Sequence, residues 1–115
     1  MDVASFIEET LLGLAGIPQI VDSMVNVEGP VADGFGFVDD ALYLHFYFNE
    51  RTGTTAFALI QSDERVWGID CDNRRGWHLH PVGAAQRHEP SDPKTIGEIM
   101  GLIAAALEAI VSSAS

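Results

Sequence analysis

The chain of 115 residues has one cysteine, Cys71, and one lysine, Lys94. A single thiol excludes an intramolecular disulfide and fits a reducing compartment. Positive charge is scarce throughout. Six Lys and Arg stand against 17 Asp and Glu, for a formal net charge of −11, and residues 1–50 contain neither Lys nor Arg. The N-terminus carries Asp2, Glu8 and Glu9 where a signal peptide needs basic residues. Long apolar runs are absent too. The most apolar window, Ile99 to Leu107, lies between Glu98 and Glu108 and falls far short of the roughly 20 residues that span a bilayer. The expectation is a cytoplasmic protein with no membrane contact.

The sign of the charge bears on partners. At low ionic strength a −11 protein is repelled by nucleic acid, whose binding relies on Lys and Arg displacing counterions. At about 1 M salt the screening length falls to roughly 3 Å, and local groups then decide. Few lysines and many carboxylates suit concentrated salt, so a halophilic source is expected. The same charge promotes solubility in any cytoplasm. With 47% hydrophobic residues, the chain is long enough for one core and too short for two, so residues 1–115 are read as a single compact domain.

Val3, Phe6, Ile7, Leu11 and Leu14 recur at helical spacing behind Asp2, an N-cap residue type, and predict a helix over 3–15 that Gly13, Gly16 and Pro18 end. Val21, Val25 and Val27 suit a strand closed by Gly29-Pro30. Residues 31–38 read as a weak strand because of their glycines. The clearest strand runs from Ala41 to Phe48, with Leu42, Leu44, Phe46 and Phe48 on one face and Tyr43, His45 and Tyr47 on the other. Short turn-rich segments then separate runs at 54–61, 65–71 and 77–80. Connections that short join antiparallel neighbours. Thr95 with Glu98 forms a capping box for a last helix over 95–112, whose stripe is Ile96, Ile99, Met100, Ile103, Leu107, Ile110 and Val111. The terminal Ser-Ser-Ala-Ser reads as a frayed tail. The predicted class is α+β: an antiparallel β-meander of five to six strands with an N-terminal and a C-terminal helix packed on one face.

One stretch concentrates the reactive side chains. Residues 70–81 and the following Arg87-His88-Glu89-Pro90 hold three of the four histidines, His78, His80 and His88, and three of the six bases, Arg74, Arg75 and Arg87. On a strand, His78 and His80 face the same way about 7 Å apart, given a rise of about 3.3 Å per residue. Three readings of this cluster compete. In the first, His78, His80 and His88 do acid–base chemistry at neutral pH while the arginines bind phosphate; no cofactor is needed. In the second, the histidines hold a metal together with Asp72 or Glu89. In the third, they decorate a sheet face and bond locally. Asp72, Asn73 and Gly76 are read as turn residues, His45 as a hydrogen-bonded sheet residue and Cys71 as an inert thiol.

The run Arg65-Val66-Trp67-Gly68-Ile69-Asp70-Cys71-Asp72-Asn73, then His78-x-His80, His88-Glu89-Pro90 and a helix opening at Thr95, resembles the small TumE-like proteins over about residues 41–110. Those are toxin components of toxin–antitoxin pairs, many without an established activity. The resemblance implies a nucleic-acid-directed toxin held by a cognate antitoxin protein; joined to the histidine–arginine cluster, it gives the expectation of a small intracellular toxin acting on RNA as a metal-independent ribonuclease. It carries over to Asp72, Asn73, His78, His80 and His88. The family's Asn-Ala-Pro-His-His run is replaced by Asn73-Arg74-Arg75-Gly76-Trp77-His78, and the N-terminal third has no counterpart. The competing expectations are a noncatalytic interaction or regulatory domain, homodimeric or bound to a partner, and a histidine-based metal protein.

Overall fold

A computed structural model describes residues 1–113. Helix α1 (Val3–Ala15) leads into strands β1 (Asp22–Glu28), β2 (Val31–Phe37), β3 (Leu42–Asn49), β4 (Thr55–Gln61), β5 (Glu64–Asp72), β6 (Gly76–His80) and β7 (Glu89–Pro90), and helix α2 (Ile96–Ser113) closes the chain. Among the described residues the strands form one open antiparallel sheet in sequence order, a seven-stranded meander. That is one strand more than expected, because β7 is only two residues and pairs His78 with Pro90 and Leu79 with Glu89. So short a pairing leaves no period-2 signal to read. Of the proposed C-terminal tail, Ser112 and Ser113 complete α2, while Ala114 and Ser115 lie outside the described residues.

Both helices begin as their capping residues dictate. The Asp2 carboxylate accepts the Ser5 amide at 2.7 Å, and Thr95 and Glu98 exchange bonds, Glu98 N to Thr95 Oγ1 at 3.1 Å and Thr95 N to Glu98 Oε1 at 2.9 Å. These bonds satisfy amides that a helix start otherwise leaves unpaired and hold both carboxyls below their ordinary pKa. Gly13 does not end α1. It sits inside the helix, and a Cβ there would run into the Met100 side chain. Its missing side chain lets α2 approach α1, and the helix stops three residues later at Gly16.

Strand alternation then decides what lies inside. Leu42, Leu44, Phe46 and Phe48 of β3, Phe57 and Leu59 of β4, and Trp67 and Ile69 of β5 are buried with Phe6 and Leu14 of α1 and Ile99, Ile103 and Leu107 of α2 in one core. Phe6 stacks on Phe48 with ring centroids 4.6 Å apart and meets Phe46 edge-on at 6.2 Å. Helix α2 is long and apolar enough to cross a membrane by length and composition. Its apolar stripe, however, is the core-facing side of a two-layer fold. The helices cover one face of the sheet and leave the other open.

Candidate functional site

Cross-strand register builds the open face row by row. Phe35 pairs with His45, His45 with Ala58, Ala58 with Gly68, and Gly68 with His80; the next row runs Asp33, Tyr47, Ala56, Asp70, His78. Paired residues share a face. Two walls therefore stand across a floor of small residues, Ala56, Ala58 and Gly68. One wall is aromatic. The Phe35 ring stacks on His45 at 5.0 Å and meets Tyr43 edge-on at 5.7 Å, with Phe37 at 5.9 Å from Phe35. His45 Nε2 lies 2.6 Å from Asp33 Oδ1, which fixes the ring at the foot of that wall. The other wall is made of histidines.

The histidines do come together. The His88 ring lies edge-on to His80 at 4.5 Å and to His78 at 6.1 Å. Their roles differ, because His80 is 1% exposed and both its nitrogens face oxygen. Nδ1 is 2.9 Å from the Arg87 carbonyl, and Nε2 is 2.9 Å from Asp70 Oδ2. No lone pair is left for a substrate, so His80 acts as a clamp and not as a free acid or base. It ties the 81–88 loop down over the end of the sheet. Arg65 helps, donating to the Ala85 carbonyl at 3.2 Å. Gly68 makes this possible: a Cβ there would sit 3.4 Å from Arg65 Cδ, 3.5 Å from His80 Cδ2 and 3.3 Å from the Phe57 carbonyl. His78 and His88 remain as the accessible imidazoles.

Of the arginines expected beside them, Arg87 stays in the loop that His80 holds, and Arg74 and Arg75 lie elsewhere. Arg74 and Arg75 line an open cleft of about 740 Å³ with Thr52, Thr54, Asp72 and Asn73, at the tips of the β3–β4 and β5–β6 hairpins. No histidine lines it. Arg75 is paired with Asp72 at 3.3 Å, and Arg87 with Glu89 at 3.3 Å. Asp72 caps its turn by accepting the backbone amides of Arg75 (2.7 Å) and Arg74 (2.9 Å). Those amides are the main cause of its lowered pKa, ahead of the Arg75 side chain. The left-handed residue of this turn is Gly76, at φ +71°; neither Asp72 nor Asn73 has a positive φ. Burial, then the carboxylates of Asp72 and Asp70, push the Cys71 thiol up, away from the thiolate a nucleophile needs.

Among the described residues, no group of three or more His, Cys, Asp and Glu side chains is placed to hold a metal ion. The reason is local: His80, the middle member of the expected set, already spends both nitrogens. Sequence reasoning passed over Asp70, Arg65 and Gly68, the residues that set the clamp. A signal was available, since Asp70 and His78 fall opposite each other once β5 and β6 are aligned on their turn. It also passed over Phe35 and Phe37, whose alternation is masked by Gly34 and Gly36. No protein-family model, curated protein or solved structure matches this chain. The likeness to TumE-like toxins thus rests on the motif residues alone.

Proposed function

We propose that this protein is a noncatalytic interaction domain whose uncovered sheet face binds a partner protein. The observation that carries this reading is the aromatic wall of Phe35, Phe37, Tyr43 and His45 standing half-buried on the face that no helix covers. Aromatic side chains give large contact area for few lost rotamers and are enriched where interfaces draw their affinity. The small residues Ala56 and Ala58 leave room beside the aromatic wall for a partner's side chains. Acidic residues at the wall, Asp33 with Asp70 across the floor, favour a partner that brings cations.

The test is a photocrosslink. Tyr43→p-benzoylphenylalanine is expected to give one discrete adduct when the protein is co-produced with the product of the adjacent reading frame. The same group at Leu12, exposed on α1, gives none. Absence of any adduct at position 43, or equal labelling from position 12, counts against the interaction face.

The meeting of His78 and His88 supports a second reading, the RNA-directed toxin that the resemblance implies. A half-buried and an exposed imidazole at this spacing can act as base and acid on either side of a phosphodiester, the 2′-hydroxyl serving as nucleophile. In that case an antitoxin covers the same face. Total RNA in about 1 M salt, where global repulsion is screened, is cleaved by the wild type and spared by His78→Ala and His88→Ala. RNA left intact by the wild type removes this reading.

A further inference from the structure

The chain's exposed large apolar side chains are few, and β1 with its lead-in holds three of them: Val21 at 74%, Met24 at 55% and Val27 at 48% exposure. Strand β1 is also an edge of the sheet. Which of its backbone groups are free follows from the hydrogen bonds. Glu50 N donates to the Pro30 carbonyl, so the even-numbered residues of β2 turn their backbone groups toward β3 and the odd-numbered ones toward β1. The Val21 amide on the Phe37 carbonyl agrees. Through the register Asp22–Phe37, Met24–Phe35, Asn26–Asp33 and Glu28–Val31, the even residues of β1 bond to β2. The amides and carbonyls of Val25 and Val27 and the Ser23 carbonyl therefore point away from the sheet, while the Ser23 amide is taken by the Asp22 carboxylate at 2.9 Å. That is a ready template for another strand.

Charge selects the occupant. Acids stand at both ends of β1, Asp22 and Glu28, with apolar Met24, Val25 and Val27 between them. Two copies paired antiparallel about Val25 would set Asp22 against Glu28 at each end, and each copy already carries −11. Like charges directly opposite each other are destabilising. A strand with cationic ends and an apolar middle gains at every one of these positions.

We infer that β1 receives an extended partner segment, basic at its ends and apolar at its centre, as an eighth strand. This rests on the interaction-domain reading and specifies how the partner is held: backbone bonds on the edge, with side chains opposite Met24 extending the Met24–Phe35 row onto the aromatic face.

The probe is the capped heptapeptide Lys-Val-Thr-Val-Val-Thr-Lys, with Glu in place of both Lys as its counterpart. Hydrogen exchange read by NMR is expected to slow about tenfold or more at the Val25 and Val27 amides on adding the basic peptide. The acidic peptide leaves them unchanged. Val27→Pro removes an outward amide without touching the ladder to β2, as edge prolines do, and abolishes the protection; Val25→Pro serves if that variant does not fold. No slowing with the basic peptide, equal slowing with the acidic one, or slowing undiminished in the proline variant overturns the inference. So does protection present without peptide that disappears on dilution, which makes a second copy the occupant. If the Tyr43 adduct persists in the Val27→Pro protein, the open-face reading stands and only the edge mode fails.

Discussion

Gly34→Ala is expected to destabilise the fold by about 2–3 kcal/mol, one of the largest losses available from a single methyl group here. Gly34 lies on the helix side of β2, directly opposite Phe46. A Cβ at this position would fall on Cε2 and Cζ of the Phe46 ring and 2.5 Å from the Met24 carbonyl oxygen. Neither neighbour can yield cheaply. Phe46 is 1% exposed and hemmed by the Phe6 and Phe57 rings, and the carbonyl belongs to the β1–β2 ladder. Opposing this, alanine in a strand gains roughly 0.5–1 kcal/mol over glycine through the unfolded state. Overpacking a closed core costs about 1–3 kcal/mol and occasionally more, so the steric effect wins.

The comparison that isolates the cause is Gly36→Ala, two residues along on the same face. A Cβ there meets only the ends of Ile20 and Leu14 side chains, at 3.3–3.4 Å. Those ends can rotate. Thermal unfolding is expected to show a Tm drop of about 10–15 °C for Gly34→Ala, from roughly 4–8 °C per kcal/mol in domains near this size. Gly36→Ala should stay within about 4 °C. Equal melting of the two variants would show that the Phe46 ring relaxes and that β2 carries no steric lock.

Gly34 also explains why part of the architecture was legible in the sequence and part was not. Strands β3 and β4 announce themselves because their buried positions are large: Leu42, Leu44, Phe46 and Phe48, then Phe57 and Leu59. In β2 the buried positions are Ala32, Gly34 and Gly36, small because Phe46 and the α1 side chains already fill the space above them. Alternation survives there, but inverted in size, so the larger residues Phe35 and Phe37 mark the open face. The helices were readable from caps and apolar spacing, which are local. The clamp was not, because it joins Asp70, His80 and Arg87 across a strand pairing and a loop return. Histidine density in residues 78–88 pointed to the right neighbourhood. Density alone does not say which nitrogens are already spent, and Arg74 and Arg75, adjacent in sequence, follow their hairpin tip to a different cleft.

His80→Phe is expected to release the 81–88 loop while leaving the sheet folded. Phenylalanine keeps a flat aromatic ring of slightly larger volume at this buried position, so the change removes polar partners and leaves no cavity. The Arg87 carbonyl and the Asp70 carboxylate lose the ring nitrogens that face them, and a hydrogen bond of this kind contributes about 1–2 kcal/mol net. The loop's remaining ties are the Arg65 bond to Ala85, the Arg87–Glu89 pair and its own turn bonds. The pair and the Arg65 bond are solvent-exposed and weak. Of the two His80 bonds, only that to Arg87 holds the loop, and a loss of about 1–2 kcal/mol there converts to roughly 5- to 30-fold faster opening-limited cleavage. Trypsin reads this directly, because Arg87 sits within the loop and its carbonyl is the one His80 holds. Nicking after Arg87 is expected to accelerate in His80→Phe, with cleavage after Arg51, in the β3–β4 turn, unchanged. Asp70→Asn gives a smaller acceleration, since the amide still offers an oxygen to Nε2 while the Arg87 bond is untouched. Cleavage after Arg87 at the wild-type rate in His80→Phe would mean that the loop is held by its own turns, and His80 would again be a histidine in search of a role.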